Sequence, residues 1–214
     1  GCHEIEKRGG YIRKYYQENP TLAPPILNGE GEKVQSNWFF SFLKAPVPIR
    51  PWLELRMPTF GLSDEHTNQL IGFFNGIAKV DIPFAYIDDK KIQPEHIEAA
   101  KQLVSKDYFN CFSCHQQGDK KPEGPVEGWA PDLTMARQRL NPNWILKWLK
   151  DPQKVQPGTK MPSFYPGGPD NVLGGKEDLQ IEALRDYLMS IGRGAVPVAA
   201  APAPAQVAKA KPAK

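Results

Sequence analysis

Cysteine is scarce in this chain: three residues among 214, Cys2, Cys111 and Cys114. An odd, sparse set excludes a disulfide framework. Long apolar runs are missing too, and none approaches the roughly 20 residues a membrane-spanning helix needs. No block of one charge sign occurs. The net charge of +3 comes from Lys209, Lys211 and Lys214, and residues 1–193 hold 24 basic and 24 acidic side chains. That excludes the basic footprint of a nucleic-acid binder. No convincing alternating pair of segments is present, so a sheet-based fold is not expected. Loop-forming chemistry is abundant, with 22 prolines and 18 glycines in a chain that is 40% hydrophobic and 24% charged. Such a balance is that of a globular body built from short elements.

The body repeats itself. Residues 25–46 (PILNGEGEKVQSNWFFSFLKAP) align without a gap on residues 131–152 (PDLTMARQRLNPNWILKWLKDP), at an offset of 106. The identities are Pro25/Pro131, Leu27/Leu133, Asn37/Asn143, Trp38/Trp144, Leu43/Leu149, Lys44/Lys150 and Pro46/Pro152. Ahead of each block stands a Cys-His pair, Cys2-His3 and Cys114-His115; behind each stands Met-Pro, Met57-Pro58 and Met161-Pro162. The same order in both halves reads as two copies of one domain. The expected organisation is a first domain over 1–78, a linker over 79–91, a second domain over 92–193 and a tail over 194–214. The tail is Ala, Pro, Val and Lys without an apolar period, which reads as a disordered or polyproline-like extension.

Short helices are expected. Ile97, Ala100, Val104 and Tyr108 form a stripe behind Pro94, predicting a helix over 94–108 that delivers Cys111. Asn141-Pro142 reads as an N-cap followed by proline at the first helical position, opening a helix with Trp144, Ile145, Trp148 and Leu149 on one face. Ser63 opens a helix carrying Leu70, Phe73, Phe74 and Ile77. A further helix spans 176–191.

The chemistry is concentrated at Cys111-Phe112-Ser113-Cys114-His115. Three readings of C-x-x-C-H compete: a redox dithiol, a zinc site and covalent haem attachment. The first lacks a β-α-β neighbourhood. The second lacks another ligand pair at metal spacing. In the third, two thiolates add to the haem vinyl groups and the next histidine binds iron. Met161, held in Pro157-Gly158-Thr159-Lys160-Met161-Pro162, is a loop methionine placed to offer a thioether. His66 and His96 read as solvated surface residues, Met135 as loop packing and Met189 as part of a helix face.

On these motifs the chain resembles a tandem of class I c-type cytochrome domains, a di-haem cytochrome c. The resemblance implies an all-α, loop-rich fold of two helical domains, each wrapped around a haem. It implies two haem c groups. One would be bound at Cys111 and Cys114 with His115 and Met161 as axial ligands, and with the Pro131 carbonyl orienting His115. The other would use Cys2, His3 and Met57, with Pro25 orienting His3. The first cysteine of that motif would stand two positions before Gly1, so a longer parent chain is expected; a haem held by one thioether, or an unrelated Cys2, stays open. The implied function is electron transfer, with redox proteins as partners and no nucleic acid. The expected setting is a periplasmic carrier, or a subunit of a membrane quinol-oxidising or terminal-oxidase complex on its outer face. The alternative is a di-haem peroxidase or thiosulfate-oxidising enzyme.

Overall fold

The computed structural model describes residues 1–80 and 92–192. The expected tail, and the expected linker beyond its first two residues, lie outside the described residues. The described chain is helical and loop-rich. Its strands form one two-residue hairpin, β1 (Glu4–Ile5) against β2 (Arg8–Gly9).

In the first half, α1 (Glu30–Lys33) and α2 (Ser36–Lys44) pack on α3 (Asp64–Ala78). In the second half, α4 (Pro94–Leu103) lies along α8 (Glu177–Ser190), with α5 (Ala136–Arg139), α6 (Pro142–Lys150) and α7 (Pro152–Val155) between them in the chain. The pair α1/α2 and the pair α5/α6 have the same bounds once the offset of 106 is applied. Each half has its own apolar centre. One is built from Val34, Trp38, Phe39, Leu43, Ile71 and Phe74; the other includes Leu103, Trp144, Ile145, Ile181, Leu184 and Tyr187.

The caps explain several boundaries. The Asn141 side chain accepts from the Asn143 N–H at 3.0 Å, and Pro142 occupies the first turn, where its missing N–H costs nothing. Ser63 Oγ accepts from the His66 N–H at 3.2 Å and starts α3. Gly31 allows α1 to lie against the backbone of α3, because a Cβ there would strike the Phe74 carbonyl.

Three expectations need correction. The helix predicted over 94–108 ends at Leu103. Ser105 and Asp107 favour turns, the Phe109 N–H bonds back to Leu103 O at 3.0 Å, and Asn110 takes a left-handed conformation with φ 48°. In α3 the buried apolar residues are Ile71 and Phe74, whereas Phe73 and Ile77 face outwards. His96 is not a solvated residue: its Nδ1 lies 2.8 Å from the buried Asp186 carboxylate, which Arg185 Nε also contacts at 2.6 Å.

The halves meet at equivalent positions. Val34 and Leu140, 106 residues apart, form an antiparallel bridge. Across it the Gln35 N–H donates to Arg139 O and the Asn141 N–H donates to Lys33 O, both at 2.8 Å. Reciprocal bonding between equivalent residues is what a two-fold relation produces, here within one chain. Gln35 secures the join, its amide donating to Arg137 O at 2.8 Å and Leu140 O at 2.7 Å.

Candidate haem-binding site

After α4 the chain turns at Asn110 into a single 3-10 turn, Cys111–Ser113. The Cys114 and His115 amides both donate to Cys111 O, at 3.3 and 2.9 Å, so the C-x-x-C-H residues wind over one another. Cys111 is partly buried against the second core, while Cys114 is exposed. Burial pushes the Cys111 thiol up to about 12, with a smaller push from neighbouring Cys114.

His115 is oriented by a loop that is itself tied down. The Asp132 carboxylate accepts from the Gly118 N–H, the Thr134 N–H and the Thr134 hydroxyl, at 2.8 to 3.1 Å to Oδ1. The Ala130 N–H donates to Cys114 O at 2.8 Å, and the Leu133 N–H to Gln116 O at 2.9 Å. This leaves the Pro131 carbonyl 2.8 Å from His115 Nδ1. The contact commits Nδ1 to donating, so Nε2 keeps the lone pair available to a metal. Burial lowers the pKa of His115, opposed by the Pro131 bond and Asp132. Burial thus favours the neutral imidazole, the form that ligates.

Met161 sits partly buried against the same core. Gln153 Nε2 donates to Thr159 O at 2.7 Å and Met161 O at 2.8 Å, which pins the loop; Gly158, at φ 80°, supplies its left-handed turn. The indole N–H of Trp148 donates to Met161 Sδ at 2.9 Å, and Trp148 stacks on Trp144 with centroids 5.1 Å apart.

The first half has a smaller version. His3 Nδ1 lies 2.9 Å from Pro25 O, and the Leu27 N–H donates to Glu4 O at 3.0 Å, as Leu133 does to Gln116. Trp38 stacks on Phe42 at 4.8 Å, the positions equivalent to Trp144 and Trp148. Met57 packs against the Trp38 cluster, and Cys2 is exposed. His66 is exposed at the start of α3.

Among the described residues no three His, Cys, Asp or Glu side chains converge as a metal-ion cage. The donors at Cys111–His115 are two thiols and one neutral imidazole, with a thioether on the same core, a chemistry that fits haem c. Sequence reasoning missed the indole on Met161, which only the folded loop brings to the sulfur.

Residues 97–192 match the family model described as Cytochrome c, which makes this stretch similar to a cytochrome c domain. A cytochrome c domain carries covalently bound haem and transfers electrons. A curated relative, Cytochrome c oxidase subunit 2 of Bacillus subtilis (strain 168), is 32% identical over 92 residues, covering 38% of this chain and 23% of that protein. No solved structure matches. No helix among the described residues is long and apolar enough to cross a membrane.

Proposed function

We propose that this chain is a di-haem electron carrier made of two cytochrome c domains, residues 1–78 and 92–193. The observation that carries the reading is the repeated histidine contact. In both halves a histidine directly after a cysteine bonds through Nδ1 to a proline carbonyl, at 2.9 Å for His3 and 2.8 Å for His115.

In this reading Cys111 and Cys114 would anchor the second haem, and His115 and Met161 would hold its iron. Cys2 anchors the first, with His3 and Met57 as ligands. Each haem supplies a one-electron iron couple when bound. The chain's residues do the rest. Pro131 and Pro25 fix the rings and strengthen imidazole donation. Met161 and Met57 offer soft thioethers, which raise the potential relative to a second histidine. With a histidine and a methionine both committed to holding each group, oxygen and peroxide would find no ready place to bind, which favours transfer over catalysis. Trp144, Trp148, Trp38 and Phe42 form the apolar walls. The partners are redox proteins. The likeness to a segment of an oxidase subunit supports a place beside a membrane terminal-oxidase or quinol-oxidising complex, on the periplasmic side.

Pyridine haemochrome and intact mass on the purified chain test this. Two covalent haems and a low-spin spectrum with a methionine–iron charge-transfer band are expected. A single haem, or a resting high-spin spectrum that binds cyanide, overturns it.

A further inference from the structure

The join between the halves encloses more positive than negative charge. Lys33 and Arg139 occupy equivalent positions, and each reaches over the other half's tryptophan. Lys33 Nζ lies 5.7 Å from the Trp144 ring centre, and Arg139 Cζ lies 5.3 Å from that of Trp38. Arg50 is close enough to repel both. Glu30 answers them, 3.5 Å from Lys33 Nζ and attractive to Arg139 as well. Arg139 Nε is shut off from solvent and makes no hydrogen bond. Burial is the leading cause that lowers all three cations from their ordinary values. An enclosed guanidinium N–H without an acceptor, among three cations and one carboxylate, is an arrangement that lacks an anion.

We propose that Lys33 and Arg139 form an oxyanion site between the halves, and that its ligands are the propionate carboxylates of the haems. The proposal rests on the haem reading above. Two features favour these carboxylates over a free anion. Trp144 stacks on Trp148, whose N–H reaches Met161, so the cations lie one aromatic layer from the second candidate pocket; Trp38 on Phe42 repeats this in the first. The reciprocal placement also gives each half one cation from the other, which suits two tethered carboxylates better than one diffusing ion.

The test uses the haem-loaded chain, its Arg139→Gln and Arg139→Lys variants, and inorganic phosphate as the free-anion probe. Haemochrome counting comes first and reports on the haem reading alone. With haem present, the propionate bending bands in the resonance Raman spectrum should shift in Arg139→Gln. Arg139→Lys keeps the charge and should restore most of that position, even if Arg139→Gln is poorly folded. Phosphate should leave the wild-type unfolding midpoint unchanged. A rise of that midpoint with phosphate, absent in Arg139→Gln, would mean a free-anion site and overturn the carboxylate assignment. Unmoved Raman bands in Arg139→Gln, with no phosphate effect, would overturn the site altogether.

Discussion

Helices α3 and α8 hold the same place in their halves and present opposite outer faces. Each follows a Met-Pro loop and packs on the paired short helices, and Thr67 and Gln180 are the fully buried polar residues of the two. From that register Leu70 corresponds to Ala183, Ile71 to Leu184, Phe73 to Asp186 and Phe74 to Tyr187. The inner positions are apolar and buried in both. On the outer face of α8, Ala183 is 0% exposed and Asp186 4%, because α4 lies over them and His96 reaches the carboxylate. On α3, Phe73 is 50% exposed and Ile77 37%. One structural role therefore tolerates a polar, clamped face where a helix covers it and a bare apolar face where none of the described residues does. The shared inner face carries each half; the outer face distinguishes them.

The largest expected contrast is in cofactor content. On the proposed di-haem reading, replacing His115 by Gly, or Cys111 and Cys114 by Ala, should lower the haem count per chain from two to one by haemochrome assay. Loss of both haems would show that the halves are not separate binding units.

Next comes the clamp. Asp186→Ala leaves His96 and Arg185 without their partner in a largely buried setting, and should cost about 2–3 kcal/mol in urea unfolding. Phe73→Ser, at the corresponding exposed position, should change stability by no more than about 0.5 kcal/mol. Equal effects would break the correspondence drawn between α3 and α8.

The join between the halves is expected to matter less. Gln35→Leu removes the amide bonds to Arg137 O and Leu140 O and should cost about 1–2 kcal/mol. Glu32→Ala removes an exposed pair with Lys147 at 2.8 Å and should cost less than about 0.5 kcal/mol.

The finest contrast concerns the methionines. Trp148 donates to Met161 Sδ, whereas Phe42 at the equivalent place has no N–H to give. A hydrogen bond to the thioether weakens its donation and favours reduced iron. With Met161 as the ligand proposed above, Trp148→Phe should therefore lower that haem's potential by about 30–60 mV, where 59 mV is tenfold for one electron. Redox titration would read this, with the charge-transfer band retained. An unchanged potential would remove the indole from the account of Met161.

Much of this was legible in the residues because the signals are local. Asn141-Pro142 starts α6 by capping chemistry, and Trp144 and Trp148 share a face by helical period. Cys111-Phe112-Ser113-Cys114-His115 stands out by spacing as a reactive cluster, and the offset of 106 marks α1/α2 and α5/α6 as equivalents. Other features had no local signature. The early end of α4 depends on a returning turn at Phe109 and Asn110. The pairing of His96 with Asp186 spans 90 residues. A histidine between Glu95 and Ile97 looks the same whether water or a carboxylate faces it.

By itself, then, the sequence determined the helical character, the repeat and the reactive cluster of the second half. Each is written within a few turns of chain, by period, cap or spacing. Tertiary structure alone decided which face of α3 stays bare, which acid His96 meets, and that Lys33 and Arg139 cross over to each other's tryptophan. Those outcomes depend on how two folded halves approach, and the energy of approach comes from buried contacts between residues far apart in the chain.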